Sequence, residues 1–336
     1  MRGRVSRRSL LAGLALAPLA AACDRLPLPL PGREGGVQPP EAAGGGVGIV
    51  GTLTDAKALA VNALRLSAAA DLLLADAYGA LPAERLAQGQ VLTVEAAELE
   101  SGALEARAIS LVHPLIGPID AVGRGRLEIL GSEVVLERGL LLADAAGRRF
   151  RPKAGQRVAV SGLWRGPEVV ASRLDLVEAA EAADEVVAAA MKTGTAPDRP
   201  TLGGLELALP AGTALPAVGT FVTARGRREG KSFRVESLRQ GRFRGAAGPL
   251  RRLSVEGYLD RIPRPPGYVL ADLGLGFDAE AALAPFAQDR ALYLGPVAEV
   301  FAVALGLPLP EGLAARRRLL AKVADGFDPP GAIPTR

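Results

Sequence analysis

A two-arm phrase recurs along this chain, and it limits what the chain can fold into more than any other feature. Its clearest copy runs from Gly155 to Gly162, turns, and returns from Gly166 to Leu174. Apolar and polar residues alternate along both arms, and the glycines between them accept positive φ. The phrase therefore predicts an antiparallel hairpin with one buried face. An earlier copy joins Gly89–Val94 to Gly102–Ile109, and a later one joins Gly219–Gly226 to Gly230–Leu238. From first Gly to closing Ile or Leu the copies span 20, 19 and 19 residues, a register that points to internal repetition of a small β domain.

Glycines upstream of the hairpins keep the same beat. Gly51, Gly117, Gly194 and Gly257 lie 66, 77 and 63 residues apart, each after a short run that reads as an opening strand. Each unit then holds five or six short strands. That count suits a small closed barrel, because closure removes the edges that would recruit other chains. The expected units are 46–112, 113–179, 185–240 and a degenerate 253–309, followed by a helix and tail over 310–336. One local conflict arises. Glu178–Ala190 has strong helix propensity, whereas the repeat register assigns Val186–Thr193 to the opening strand of the third barrel, with a linker helix as the alternative. Asp278–Phe286 also reads as helical. So does 311–324, where Leu313, Leu319, Leu320 and Val323 oppose Arg316, Arg317 and Arg318.

The first 22 residues have a basic start, an apolar run from Leu10 to Ala20 and small residues at its end, the layout of an export signal too short for a comfortable membrane span. Within it, Arg7-Arg8 in Ser6–Leu11 resembles a twin-arginine export signal. Leu19–Cys23 resembles a lipoprotein box, which implies acylation of Cys23, the only cysteine in the chain. An ordinary signal peptide with an incidental Cys is the alternative. Asp24 resembles an inner-membrane retention residue. Residues 23–45 alternate Leu and Pro and then turn Gly-rich, a composition that makes a tether and not a core. The expected location is therefore the cell envelope, with a lipid anchor in the membrane.

Composition narrows the partners. The formal charge is +4, but four arginines precede Cys23, and without them 36 basic side chains face 36 acidic ones. The balance gives little support for a polyanionic partner. Only 4% of residues are aromatic, so stacking platforms for nucleic acid are scarce and that partner is disfavoured. One stretch stands apart: Arg225, Arg227, Arg228, Lys231 and Arg234, continued by Arg239, Arg242, Arg244, Arg251 and Arg252, has only Glu229 and Glu236 nearby in sequence. It is a candidate anion-binding surface for lipid headgroups, an acidic polymer or an acidic partner, with an ordinary solvated face as the alternative.

The Gly-Gln-Val run at 89–91 and its Gly-Gln-x-Val counterpart at 155–158, the Gly-x-x-x-Ala variants at 102–106 and 166–171, and Gly117-Pro118 resemble the domain-of-unknown-function 5666 family of exported bacterial proteins. The resemblance covers 46–178 best and extends to 240. It implies a mainly β fold of tandem small OB-like antiparallel β-barrels with a few short helices, and it carries over no catalytic or ligand residue.

Chemistry-bearing motifs are sparse. His113, the only histidine, precedes Pro114 at a barrel junction, where a structural role is the plainer reading. There is no Gly-x-Ser-x-Gly elbow and no P-loop lysine. No catalytic residue, metal ligand or cofactor is assigned. The expected function is a non-enzymatic envelope lipoprotein whose barrels bind or scaffold an envelope protein or polymer. A binder of anionic polymer or carbohydrate is the first alternative. The second is an envelope enzyme subunit, which requires polar side chains clustered in a cleft between units.

Overall fold

The computed structural model describes residues 45–178, 184–196, 199–261, 268–270, 275–277, 283–285, 290–296 and 301–302. Arg7, Arg8, Cys23, the tether and the expected helix at 311–324 lie outside the described residues.

The first barrel consists of β1 (Gly46–Asp55), β2 (Ala60–Val61), β3 (Leu64–Ala75), β4 (Val91–Glu98) and β5 (Leu104–Leu111). Each strand pairs with the next in the closed order β1-β2-β3-β5-β4-β1, with β3 and β5 parallel and every other pair antiparallel. The second barrel repeats that order with β6 (Leu115–Gly123), β7 (Arg126–Ile129), β8 (Ser132–Ala143), β9 (Arg157–Arg165) and β10 (Glu168–Leu176). These are two closed five-stranded barrels in tandem, of OB-like topology. A third unit keeps the pairing order, but its first strand is interrupted at Met191 into β11 (Glu185–Ala190) and β12 (Lys192–Ala196). The rest are β13 (Arg199–Leu202), β14 (Leu205–Ala208), β15 (Phe221–Glu229) and β16 (Ser232–Gln240).

The repeated glycines have repeated physical reasons. Gly89, Gly155 and Gly219 all have positive φ. Each donates its N–H to the carbonyl of a first-strand residue at 2.8 Å, Leu53, Ile119 and Met191 respectively. The same three residues donate back to Gln90, Gln156 and Thr220. The Gln of the first two copies adds a side-chain acceptor, Oε1 taking the N–H of Ala87 and of Lys153 at 2.8 Å. The Gly-Gln signature is thus a clamp that fixes where the fourth strand starts. Seven residues after each clamp glycine stand Ala96, Gly162 and Gly226, at a register shift between fourth and fifth strands. A Cβ at Gly162 would sit 2.4 Å from the Val170 carbonyl oxygen, and one at Gly226 2.0 Å from that of Arg234.

Many strands depart from the expected alternation. β7 and the first four residues of β3 alternate, but β4, β9 and β11 are buried almost without interruption. Their outer faces are covered by neighbouring units. β6 pairs with β11, so the sheets of the second and third units are continuous, and one apolar cluster runs from Leu115 and Val160 to Val187 and Phe233. Trp164 sits in that junction, 4% exposed, with Nε1 donating to the Ala188 carbonyl at 2.9 Å.

The fourth unit opens with β17 (Leu250–Gly257), which runs parallel to β1. It continues through β18 (Leu259–Arg261), β19 (Tyr268–Leu270), β20 (Leu275–Phe277), β21 (Leu283–Pro285), β22 (Ala291–Pro296) and β23 (Phe301–Ala302). β22 pairs antiparallel with β17, as a fourth strand does with a first, but β20 and β23 are antiparallel, unlike the parallel third and fifth strands of the barrels. Val50, Val91, Leu163, Val170, Val255 and Tyr293 form one cluster that joins the first, second and fourth units. One expectation needs correction. Asp278–Phe286 does not read through as a helix, because Leu283–Pro285 is β21 and pairs with β22. Among the described residues the helical content is one 3-10 turn at Ala83–Arg85.

The clamp geometry makes a stability prediction. Gly162→Ala drives a methyl into the Val170 carbonyl and should cost about 1–3 kcal/mol, read as a lower urea midpoint with Trp164 emission as the probe. An unchanged midpoint would show that the hairpin does not need glycine there.

Candidate functional site

A cleft of about 550 Å³ lies between the first two barrels. Four segments build it: the β3–β4 connector (Asp76–Ala87), the junction at His113, the β8–β9 connector from Asp144, and the end of β10 at Arg173–Val177. The connectors are equivalent in the two repeats, so duplication of the barrel places both on one cleft.

Its charged groups are largely matched. The Asp76 carboxylate accepts the N–H groups of Tyr78 (2.7 Å) and Gly79 (3.0 Å), closing a tight turn. Asp144 does the same for Ala146 and Arg148 and also takes the Arg148 guanidinium. The backbone N–H of Arg148, then its side chain, holds the Asp144 carboxyl below its ordinary value. Arg173 and Asp175, two apart on β10 and so on one face, form a 2.7 Å ion pair. The Tyr78 hydroxyl donates to the Asp184 carbonyl at 2.8 Å, and burial raises its pKa.

His113 is 7% exposed and lines the cleft. Its Nδ1 lies 3.3 Å from the Val160 carbonyl oxygen, which can only accept, so Nδ1 carries the proton and Nε2 a lone pair. Burial lowers the His113 pKa below 6.5, against the opposing pull of Asp175 and Asp76, so the imidazole is neutral at pH 7. The Ser161 hydroxyl is 3.5 Å from the same Nδ1, but Ser161 is fully buried and its contact is on the side away from the free nitrogen. That pair is therefore not arranged as an exposed nucleophile and its base. Among the described residues no group of three His, Cys, Asp or Glu side chains is placed to hold a metal ion.

The basic stretch lies on the fourth and fifth strands of the third unit and the turn between them. The fold brings it acids that the local sequence does not show. Arg225 pairs with Asp184 at 3.1 Å and lies over the Tyr78 ring. Arg228 pairs with Asp120, and its N–H donates to Glu185. Arg234 pairs with Glu229 at 2.9 Å, while exposed Arg227 lies 3.9 Å from Glu236. Lys231 is exposed in the turn. Farther on, Arg252 pairs with Glu98, and Arg242 is buried with its guanidinium 3.5 Å from the Phe221 ring centre. Arg225, Arg227, Arg228, Arg234 and Arg252 are thus compensated, whereas the side chains of Lys231, Arg239, Arg244 and Arg251 form no ion pair among the described residues. The second and third strands, where OB folds take polymers, contain no aromatic residue in any of the three units.

Sequence reasoning named His113 but not its companions. Asp76, Tyr78, Asp144, Arg173 and Asp175 are far apart in the chain and form no motif. The one usable signal was a lone histidine at the joint between two repeats.

No protein-family model and no curated protein matches the chain. Among solved structures, a similar chain is "drosophila Unr CSD456", with 12% identity and a TM-score of 0.18 over 46% of this chain and 78% of that one. A likeness at that score carries no functional argument.

The neutral state of His113 has a sign that can be checked. The unfolded imidazole takes a proton near pH 6.5, whereas the folded one resists until lower pH, so its stabilising contribution is complete above 6.5 and is lost as pH falls. Lowering the pH from 7 to 5 should therefore destabilise the native chain more than His113→Gln, with an excess of at most about 1.4 kcal/mol per pH unit. Equal or reversed slopes in urea unfolding would contradict a buried neutral ring.

Proposed function

We propose that this chain is a membrane-tethered, non-enzymatic envelope lipoprotein in which fused OB-like barrels, of the kind its resemblance to the domain-of-unknown-function 5666 family implies, form a binding or scaffold module. One observation carries the reading: the units share strand pairs and buried clusters, so whatever surfaces they present are held at fixed geometry. The paired arginines of the third unit and the absence of aromatics on the second and third strands weigh against an anionic polymer or nucleic acid as the partner.

The cleft beside His113 favours one second reading, an enzyme subunit with its site between repeats. In that reading the Nε2 lone pair is a base. The matched carboxylates and the inaccessible Ser161 leave it without a nucleophile among the described residues, so binding is the better-supported role.

Two arms test the proposal. In cells, Cys23→Ala should lose palmitate label and leave the membrane fraction, and Arg7→Lys with Arg8→Lys should block export. Labelling that survives the first change, or export that survives the second, would remove the corresponding claim. Crosslinking of the membrane-extracted chain should then recover a discrete envelope partner. Recovery of none, together with turnover of envelope substrates abolished by His113→Gln, would favour the enzyme reading.

A further inference from the structure

We infer that the cleft between the first two barrels binds a neutral saccharide of one or two sugar units, with His113 Nε2 accepting a ligand hydroxyl. The inference rests on the binding-module reading and specifies its ligand. Four observations support it.

The first is an unused acceptor. Both hydrogen-bond contacts of His113 run through Nδ1, while the ring is more than nine-tenths buried and borders the cleft. Nε2 is not sealed inside the protein but opens on the cleft, so a ligand hydroxyl can take the place of water as its donor. A hydroxyl donates, whereas an anion cannot.

The second is charge. Asp76, Asp144 and Asp175 already accept backbone N–H groups or a guanidinium, and the imidazole is neutral. Of the lining acids only Glu84, which is exposed, is without such a partner, so no buried carboxylate is left bare to hold an ammonium. Acids on the lining (Asp76, Glu84, Asp144 and Asp175) outnumber Arg85 and Arg173, which disfavours an anion.

The third is the pattern of donors and acceptors. A polyol both donates and accepts, and Arg173 beside Asp175 offers both partners in a fixed pair. Ile116, Leu176 and Val177 supply the apolar wall against which the C–H face of a sugar packs.

The fourth is size. A volume of about 550 Å³ falls within the range of about 300–1,000 Å³ usual for small-ligand sites.

The test uses the 15N-labelled full chain, whose single histidine gives one unambiguous imidazole signal. Di-N-acetylchitobiose and maltose are titrated as neutral probes, putrescine as the cationic probe and citrate as the anionic one. At least one neutral disaccharide should move the Nε2 resonance saturably at millimolar concentration. Ala145→Trp, at an exposed position on the cleft lining, should weaken that binding at least tenfold without lowering the urea midpoint. The inference is overturned if neither disaccharide moves the signal, if Ala145→Trp leaves binding intact, or if only putrescine or citrate binds. None of these outcomes bears on lipidation or on the crosslinked partner, so failure here is separable from failure of the proposed function.

Discussion

Each barrel depends on one reciprocal contact between its first strand and the glycine that opens its last hairpin. Leu53 with Gly89 and Gln90, Ile119 with Gly155 and Gln156, and Met191 with Gly219 and Thr220 exchange two backbone hydrogen bonds in the same geometry. The contact sets the register of the fourth strand on the first. Once that register is set, alternation along the hairpin decides which side chains face the barrel core. Positive φ at the glycine is what lets both N–H and C=O groups reach the first strand. The three copies therefore share a clamp, although the residues they pack differ.

The first strands of the two closed barrels also share a socket, and the two units fill it differently. Gly51 and Gly117 each lie under a residue of positive φ that follows the second strand, Asn62 and Leu130. In the first barrel the Asn62 amide donates to the Val50 carbonyl and to the carbonyl and hydroxyl of Ser254 on β17, tying the fourth unit to the first. Nearby, Glu256, 1% exposed, accepts the Thr52 N–H at 2.7 Å and pairs with Arg290. In the second barrel Leu130 joins the apolar cluster shared with the third unit. One inherited position thus makes a polar joint in one repeat and an apolar joint in the other.

The fold was legible where its signals are local. The hairpins announce themselves through glycine spacing and alternation within about 20 residues, and the Ala-rich stretch from Glu185 forms β11 despite its helix propensity. Tertiary cover overrides that propensity: β11 lies between β6 and β15, where Ala188, Ala189 and Ala190 are buried and small enough to be packed on both faces. What stayed hidden is non-local. Ser172, the extra residue at the β9–β10 register shift, reaches the Gly89 carbonyl of the first barrel at 2.6 Å. Asp120 reaches Arg228 across 108 positions. Neither contact leaves a trace in the neighbouring sequence. The cleft was illegible for the same reason, since its lining comes from connectors whose composition reads as ordinary turn.

Fusion of the repeats also explains why the cleft is where it is. Two closed barrels joined by so short a linker as Val112–Pro114 bring their connectors together at the joint. Here the β3–β4 and β8–β9 connectors meet above the linker, and the linker supplies the one side chain at the bottom of the joint, His113. A fully apolar residue there would seal the barrels together. A charged one would hold a buried ion at several kcal/mol. A neutral imidazole anchored through Nδ1 satisfies the backbone below it and leaves one acceptor above, so the joint is stable when empty and still able to receive a donor.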